Sequence, residues 1–305
     1  MTEFTVIAEG LAFPEGPVVL PDGTLLVVEI GRGVITHIDS RGRRALAAPG
    51  GGPNGAALGP DGRLYVCNNG GFTWHTESGV RRPVAKAPDN TGGRIERIDL
   101  ETGKVEVLYD RCAGRALSAP NDIVFDQHGG FWFTDHGHRR DRQLEFGSVY
   151  YARVDGGHIA EMAFPLIGPN GIGLSPDGRT LYVAETSSGR LWSYPVLSPG
   201  VIGKAAWPSP TGGDLVCGLP GFHRYDSLAV EAEGNIVIAS LRIGGLDVVS
   251  PSGALVQRIE TPDPYTTNIC FGGADLKTTF VTLSSSGRVV SMPWDRPGLR
   301  LAHQA

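Results

Sequence analysis

Pro169-Asn170-Gly171-Ile172-Gly173-Leu174-Ser175-Pro176-Asp177-Gly178, followed by Thr180-Leu181-Tyr182-Val183-Ala184, is the stretch that decides the fold. A polar anchor, Asn170, stands near its start. Small and apolar residues follow, then a Pro-Asp-Gly turn and a second apolar run. The same order recurs from Glu15, Asn54, Asn121, Asp226 and Asn268. In five copies a glycine stands eight residues after the anchor, at Gly23, Gly62, Gly129, Gly178 and Gly234. The sixth has Leu276 there but keeps the strand that follows, Thr279 to Leu283. Recurrence roughly every 40–70 residues signals a closed array of similar units.

Outward from the anchor, each copy reads as antiparallel β structure. Val18-Val19-Leu20 and Thr24-Leu25-Leu26-Val27-Val28 flank Pro21-Asp22-Gly23, and Asp-Gly supplies the positive φ that a hairpin turn needs. Val34 to Ile38 is a third strand. The second copy shows a full set, with Gly93 to Asp99, the turn Glu101-Thr102-Gly103-Lys104, and Val105 to Tyr109. Four-stranded units repeated six times predict an all-β fold, a six-bladed β-propeller forming one domain over residues 1–305. Phe4 to Ala8, ahead of the first anchor, is a spare strand. It is expected to complete the last blade beside Gly287 to Met292 and so remove a free edge. Two long loops interrupt the repeat, at 68–91 and 136–147. They are expected either to shape specificity or to be plain surface excursions.

The composition fits. The chain is 41% hydrophobic and has 44 glycines and 22 prolines, which suits many tight turns rather than disorder. A net charge of −5 with no basic stripe argues against a nucleic-acid partner. No run is long enough to cross a membrane, and Met1-Thr2-Glu3-Phe4 lacks the regions of a secretion signal, so the expected location is the cytoplasm. Cys67, Cys112, Cys217 and Cys270 form no CxxC pair and are expected to be buried or partly buried free thiols.

The innermost strand of every propeller blade lines the central channel. The anchors Glu15, Asn54, Asn121, Asn170, Asp226 and Asn268 therefore form a ring of side-chain oxygens with two carboxylates. Such a ring suits a hard divalent cation, and a water-filled structural ring is its rival. Oxygen-only donors favour Ca2+, Mg2+ or Mn2+ over Zn2+. Glu29, Asn68, Asp135 with His136, Glu185 and Ser240 follow their anchors by about fourteen residues and end on the same face. They are either pocket groups or hydrogen-bonding ties between blades. The pair His136 and His138 reads more readily as polar surface than as a zinc site.

Phe13-Pro14-Glu15-Gly16-Pro17, Pro120 to Asp126, Phe131 to Asp135, Asn170 to Gly178 and Phe271-Gly272-Gly273 together resemble the family of senescence marker protein, gluconolactonase and luciferin-regenerating enzyme. The resemblance runs from about residue 11 to about residue 290. It implies a propeller hydrolase with one divalent metal in the channel mouth, held by Glu15, Asn170 and Asp226. Asn121 would be a fourth ligand or a substrate-binding residue. Several metals serve this family, so Ca2+ is favoured while Zn2+, Mn2+, Mg2+ and Fe2+ stay open. Asn54 and Asn268 match no ligand of the family and are candidates either for supports behind the ligands or for substrate-binding pocket groups. The sugar-lactone members carry an arginine two residues before the asparagine that matches Asn121, and Ala119 stands there in this chain. Phe222-His223-Arg224-Tyr225-Asp226 also departs from the usual Pro-Asp-Gly-Met. Arg224 is a candidate substitute for the missing cation, and His136 a candidate substrate contact.

The implied activity is metal-dependent opening of a small-molecule lactone, with a ring less sugar-like than an aldonolactone left open, and with either Asp226 as general base or a metal-bound water as the activated nucleophile. Hydrolysis of a phosphotriester or another ester at the same ring is one alternative. A non-catalytic propeller that binds a ligand is the other. No Ser-His-Asp order, phosphate loop or nucleotide fingerprint supports different chemistry.

Overall fold

Six antiparallel sheets are wound outward from six inner strands, Pro14–Val19, Pro53–Leu58, Pro120–Phe125, Pro169–Leu174, Tyr225–Val230 and Thr266–Gly272. The computed structural model describes residues 3–304. Each inner strand packs beside the next, and the last packs beside the first, so the ring closes as a six-bladed β-propeller. No helix occurs among the described residues, and none is therefore long and apolar enough to cross a membrane. The first blade is Pro14–Val19, Leu25–Glu29, Val34–Asp39 and Gly42–Ala47 in spatial order. The sixth borrows its outer strand from the start of the chain. Thr5–Ala8 pairs with Arg288–Pro293, with Thr5 opposite Ser291 and Val6 opposite Val290. The spare strand thus does what the sequence led us to expect.

The turns follow their residues. Gly23, Gly62, Gly129, Gly178 and Gly234 all have positive φ, where glycine carries no steric penalty. In the sixth copy Leu276 takes the same conformation at φ 56°. Its backbone N–H donates to the Gly273 carbonyl, and its side chain is buried beside Trp294 and Phe271. Packing therefore holds a leucine where backbone preference alone would select glycine.

Between the blades, alternate residues of the middle strands interdigitate. Phe131 and Phe133 face Tyr65 and Ile95 of the preceding blade, while Trp132 on the opposite face meets Leu181 and Tyr194 of the following one. Each such side chain contributes roughly 1.5–3 kcal/mol by leaving water. All four cysteines are free; three are buried and Cys270 is partly so.

The first insertion forms a hairpin, Phe72–Glu77 with Val80–Lys86, rather than an irregular loop. Trp74 packs on Phe13 at 5.0 Å, which pins the hairpin over the first blade, and within the hairpin the Arg81 guanidinium lies 4.4 Å from the Trp74 ring centre. At the opposite end of the channel, residues 298–304 cross the axis. Leu299 N–H donates to Val230 O and Gln304 Nε2 to Phe271 O, while His303 meets Phe125 on the far side. This strap covers one mouth. A cavity of about 370 Å³ opens at the other.

Candidate active site

The anchors reach the axis because every inner strand breaks register there. The pairing slips between Glu15 and Val18, Pro53 and Ala56, Pro120 and Ile123, Pro169 and Ile172, Tyr225 and Leu228, and Thr266 and Asn268. A bulge bends a strand and re-aims its side chains. Close approach of the strands is what glycine permits after three of the anchors. A Cβ on Gly16 would lie 2.4 Å from the Asn54 carbonyl oxygen, and one on Gly171 would lie 2.7 Å from that of Asp226.

The cavity floor is formed by Glu15, Asn54, Asn121, Asn170 and Asp226, all buried. Asn268 does not line this cavity. Its Nδ2 donates to Glu15 Oε2 at 2.7 Å, and its Oδ1 accepts from the Ile269 N–H at 2.8 Å, so it orients the carboxylate from below. Gly16 N–H donates to the same Glu15 oxygen at 2.8 Å. Asn170 Nδ2 donates to Thr186 Oγ1 at 3.1 Å, which leaves Asn170 Oδ1 on the other side of the amide. Asn170 Oδ1 and Asn121 Oδ1 are both buried and accept no hydrogen bond. Two orphaned acceptors are costly in an interior that otherwise satisfies its polar groups.

The carboxylates carry the complementary imbalance. Burial pushes the Glu15 carboxyl above the usual range, against hydrogen bonds from Asn268 and Gly16. Burial, then the charge of Glu15, pushes Asp226 well up, with the Asn170 amide and the more distant Arg224 charge opposing. Asp122, one residue past its anchor, is pushed up to about 7 by burial and by Glu15. Three acids thus crowd one axis. No three His, Cys, Asp or Glu side chains cluster as a metal site among the described residues, because amide oxygens make up the rest of this donor set. Anionic and neutral oxygens in this mixture, two of them unsatisfied, fit a hard divalent cation.

The walls differ in character. His136 is half-buried at the rim, and burial, aided by the Arg224 charge, holds its basicity below normal. Its Nδ1 donates to the Gly137 carbonyl at 3.0 Å, which leaves Nε2 as a free acceptor near Gly168. Phe13, Phe72 and Tyr265 supply apolar wall, and Arg82, Lys86, Arg139, Arg224 and Arg242 supply charge.

The sequence model described as the SMP-30/Gluconolactonase/LRE-like region matches residues 13–285. The chain belongs to this family. A gluconolactonase of Zymomonas mobilis is 26% identical over 93% of the chain and 79% of its own length. A diisopropyl-fluorophosphatase of Loligo vulgaris is 31% identical over 63% of the chain and 63% of its own length. Among solved structures, that of regucalcin from Agrobacterium tumefaciens, described as a calcium-binding protein, superposes with a TM-score of 0.75. It is 20% identical and covers 98% of both chains, a likeness that speaks to the fold.

Five of the six ring anchors therefore meet at the cavity floor, with Asn268 directly beneath. Arg224 and His136 reach the cavity as the sequence suggested. His138 departs from its reading as polar surface. It is buried, with Nε2 3.2 Å from Ser118 O, because loop 136–147 folds back through Glu145 onto Ser118 and the His138 N–H. Four of the residues about fourteen after the anchors are ties rather than pocket groups, while His136 lines the cavity and Ser240 Oγ is buried without a partner. Glu29 accepts from Ala12 N–H, Asn68 from Gly52, Asp135 from Ser118 and Ala119, and Glu185 from Ile167, each fixing the chain just before an inner strand. Asp122 and Thr186 were missed, although Asp122 stands inside the Asn121-Asp122 stretch. Arg242, Arg82 and Lys86 carry no motif at all.

Proposed function

We propose that this propeller is a divalent-cation-dependent lactonase. The observation that carries the reading is the pair of buried, unpartnered oxygens Asn121 Oδ1 and Asn170 Oδ1 beside two mutually repelling carboxylates at the floor of the open cavity. Glu15, Asn121, Asn170 and Asp226 would hold the cation, and oxygen-only donors favour Ca2+. Bound there, it supplies Lewis acidity toward a lactone carbonyl. Asn268 and the Gly16 N–H hold Glu15 in one orientation, which leaves Glu15 chiefly a ligand.

Asp226 is the general base. Burial and the neighbouring Glu15 charge raise its proton affinity in the cation-free protein, and a bound cation would lower it again toward the neutral range a base needs. It takes a proton from the attacking water as the carbon–oxygen bond forms. It returns that proton to the ring oxygen as the ring bond breaks, giving the open-chain hydroxy acid. Phe13, Phe72 and Tyr265 exclude water on one side, and His136 Nε2 is placed to accept a hydrogen bond from a substrate hydroxyl. The gluconolactonase relative, matched over most of both chains, favours lactones over phosphotriesters.

The test is hydrolysis of sugar lactones and hydrophobic γ- and δ-lactones by metal-stripped protein after adding Ca2+, Mn2+, Mg2+, Zn2+ or Fe2+. Activity restored by a cation in the wild type but not in Asp226→Ala supports the proposal. Lactone turnover that survives complete chelation overturns the cation's role. Absence of turnover with every cation overturns the lactonase reading.

A further inference from the structure

The cavity walls carry a charge that the proposed reaction does not use. The cavity is lined by Arg82, Lys86, Arg139, Arg224 and Arg242, and by only two acids, Glu15 and Asp226. The chain as a whole has a net charge of −5, so the cations gather at one opening of an acidic protein. Other arginines pair closely with acids, as Arg94 does with Glu96 and Arg296 with Glu231. Among the described residues, the side chains of Lys86, Arg139, Arg224 and Arg242 make no hydrogen bond and no ion pair. Arg82 has only a 4.0 Å approach to the exposed Glu77.

Arg224 and Arg82 are half-buried, and Lys86, Arg139 and Arg242 are exposed. With Tyr225 buried in the core, Arg224 stands just before the strand Tyr225–Val230 and lines the same cavity as Asp226. It is also the only cation in its tier. The residues two before the other anchors are Phe13, Gly52, Ala119, Gly168 and Thr266. Arg242 comes from the next turn of the same blade. Leu241 N–H donates to Arg224 O, and Arg242 N–H donates to Pro264 O at 2.6 Å. Between those bonds Arg242 is held at φ 74°, a left-handed conformation that an arginine rarely adopts. Strain of this kind, held by its surroundings, is typical of binding sites. Two arginines on adjoining backbone, both lining one cavity open to solvent and both without an ion pair, offer guanidinium donors to carboxylate or phosphate oxygens.

We propose that Arg224 and Arg242 form an anion subsite, and that the lactone opened here carries a second negative group, a carboxylate or a phosphate, away from its ring carbonyl. The proposal rests on the lactonase reading. A cation would offset Glu15 and Asp226 at the floor, leaving the wall positive toward the substrate's far end. Arg139, Lys86 and Arg82 at the rim steer an anion inward against the charge of the whole chain. Ala119 fits this arrangement, because the cation has moved from the third blade to the fifth.

The test uses cation-reconstituted protein and two matched pairs of substrates. Glucono-1,5-lactone is compared with its 6-phosphate, and glucono-1,4-lactone with glucaro-1,4-lactone. In one pair the anionic member should be preferred in kcat/KM by about tenfold to a hundredfold, the range of one charge-assisted contact pair. The pair that shows the preference identifies phosphate or carboxylate as the group recognised. The preference should shrink in 0.5 M salt and collapse toward parity in Arg224→Gln and Arg242→Gln. Equal or better turnover of both neutral members overturns the subsite while leaving the lactonase reading intact. If no lactone is opened, that reading fails and the subsite is judged by calorimetry with the ring-opened acids. Glucarate or 6-phosphogluconate binding more tightly than gluconate, with the difference lost in Arg224→Gln, supports it. Equal binding of all three overturns it.

Discussion

Replacing Asp226 with asparagine should stabilise the cation-free protein while abolishing its response to cations. Glu15 and Asp226 are both buried and both have raised proton affinity, Asp226 partly through the Glu15 charge. In the unfolded chain both ionise freely. Their folded-state contribution is therefore favourable at low pH and is lost as pH rises through the raised folded range. Near neutrality the cation-free protein must either hold protons or keep two repelling charges out of water. An asparagine side chain in place of Asp226 would keep the shape and remove one charge, which relieves at least about 1–3 kcal/mol. For a chain of 305 residues the unfolding entropy is roughly 0.6 kcal/mol/K, so each kcal/mol moves Tm by about 1.6 °C. Asp226→Asn should thus raise the Tm of the stripped protein by about 2–5 °C near pH 8 and by less near pH 5. In the wild type, a cation at a thousand times its Kd adds about 4 kcal/mol, or about 6 °C. Calorimetric melting with chelator and with excess Ca2+ measures both. A variant no more stable than the stripped wild type would refute the argument from repelling carboxylates. A variant that keeps the full Ca2+ shift would remove Asp226 from the ligand set.

Three further outcomes follow from particular contacts. Asn268→Leu removes the donor to Glu15 Oε2 and should weaken Ca2+ affinity by about 10–100-fold, read by calorimetric titration, as is typical for a partner of a ligand. Cation affinity in the wild type should rise from pH 6 to pH 8, because protons compete for the raised carboxylates. Proton release, measured in buffers of different ionisation enthalpy, checks this. Gly298→Ala places a Cβ 2.0 Å from the Phe271 ring. It should cost about 1–3 kcal/mol, or about 2–5 °C in Tm, with an unchanged KM because the strap lies at the far mouth.

The fold was legible because blade periodicity is a repeated demand on residue type. Five Asp-Gly or Gly turns, apolar runs on both sides of them, and a strand left over at the start leave few ways to close a sheet. The sixth copy shows where that logic needs help, since only packing beside Phe271 and Trp294 accounts for Leu276 at positive φ. The inner-strand bulges left no sequence signal. They arise where six strands converge on one axis, a property of the assembled ring rather than of any one segment.

The same distinction divides the candidate site. The floor is made of equivalent positions, so its residues repeat and can be found by comparing the chain with itself. The walls are made of what differs between blades, namely a hairpin inserted in the second, a folded loop in the third, and Arg224 with Arg242 in the fifth. No repeat predicts these, and Arg242 lies sixteen residues past its anchor without a motif. The ties were ambiguous for a related reason. Glu29 and Glu185 share the face of the anchors, and only their bonds to Ala12 and Ile167 show that they serve the backbone rather than the cavity. On the proposed reading, a ring that would supply the chemistry and walls that would supply the substrate preference are encoded separately. Substitutions in the walls should therefore change which lactone is chosen without disturbing the Glu15–Asn268 contact beneath the floor, and the salt dependence of the two lactone pairs reads that separation directly.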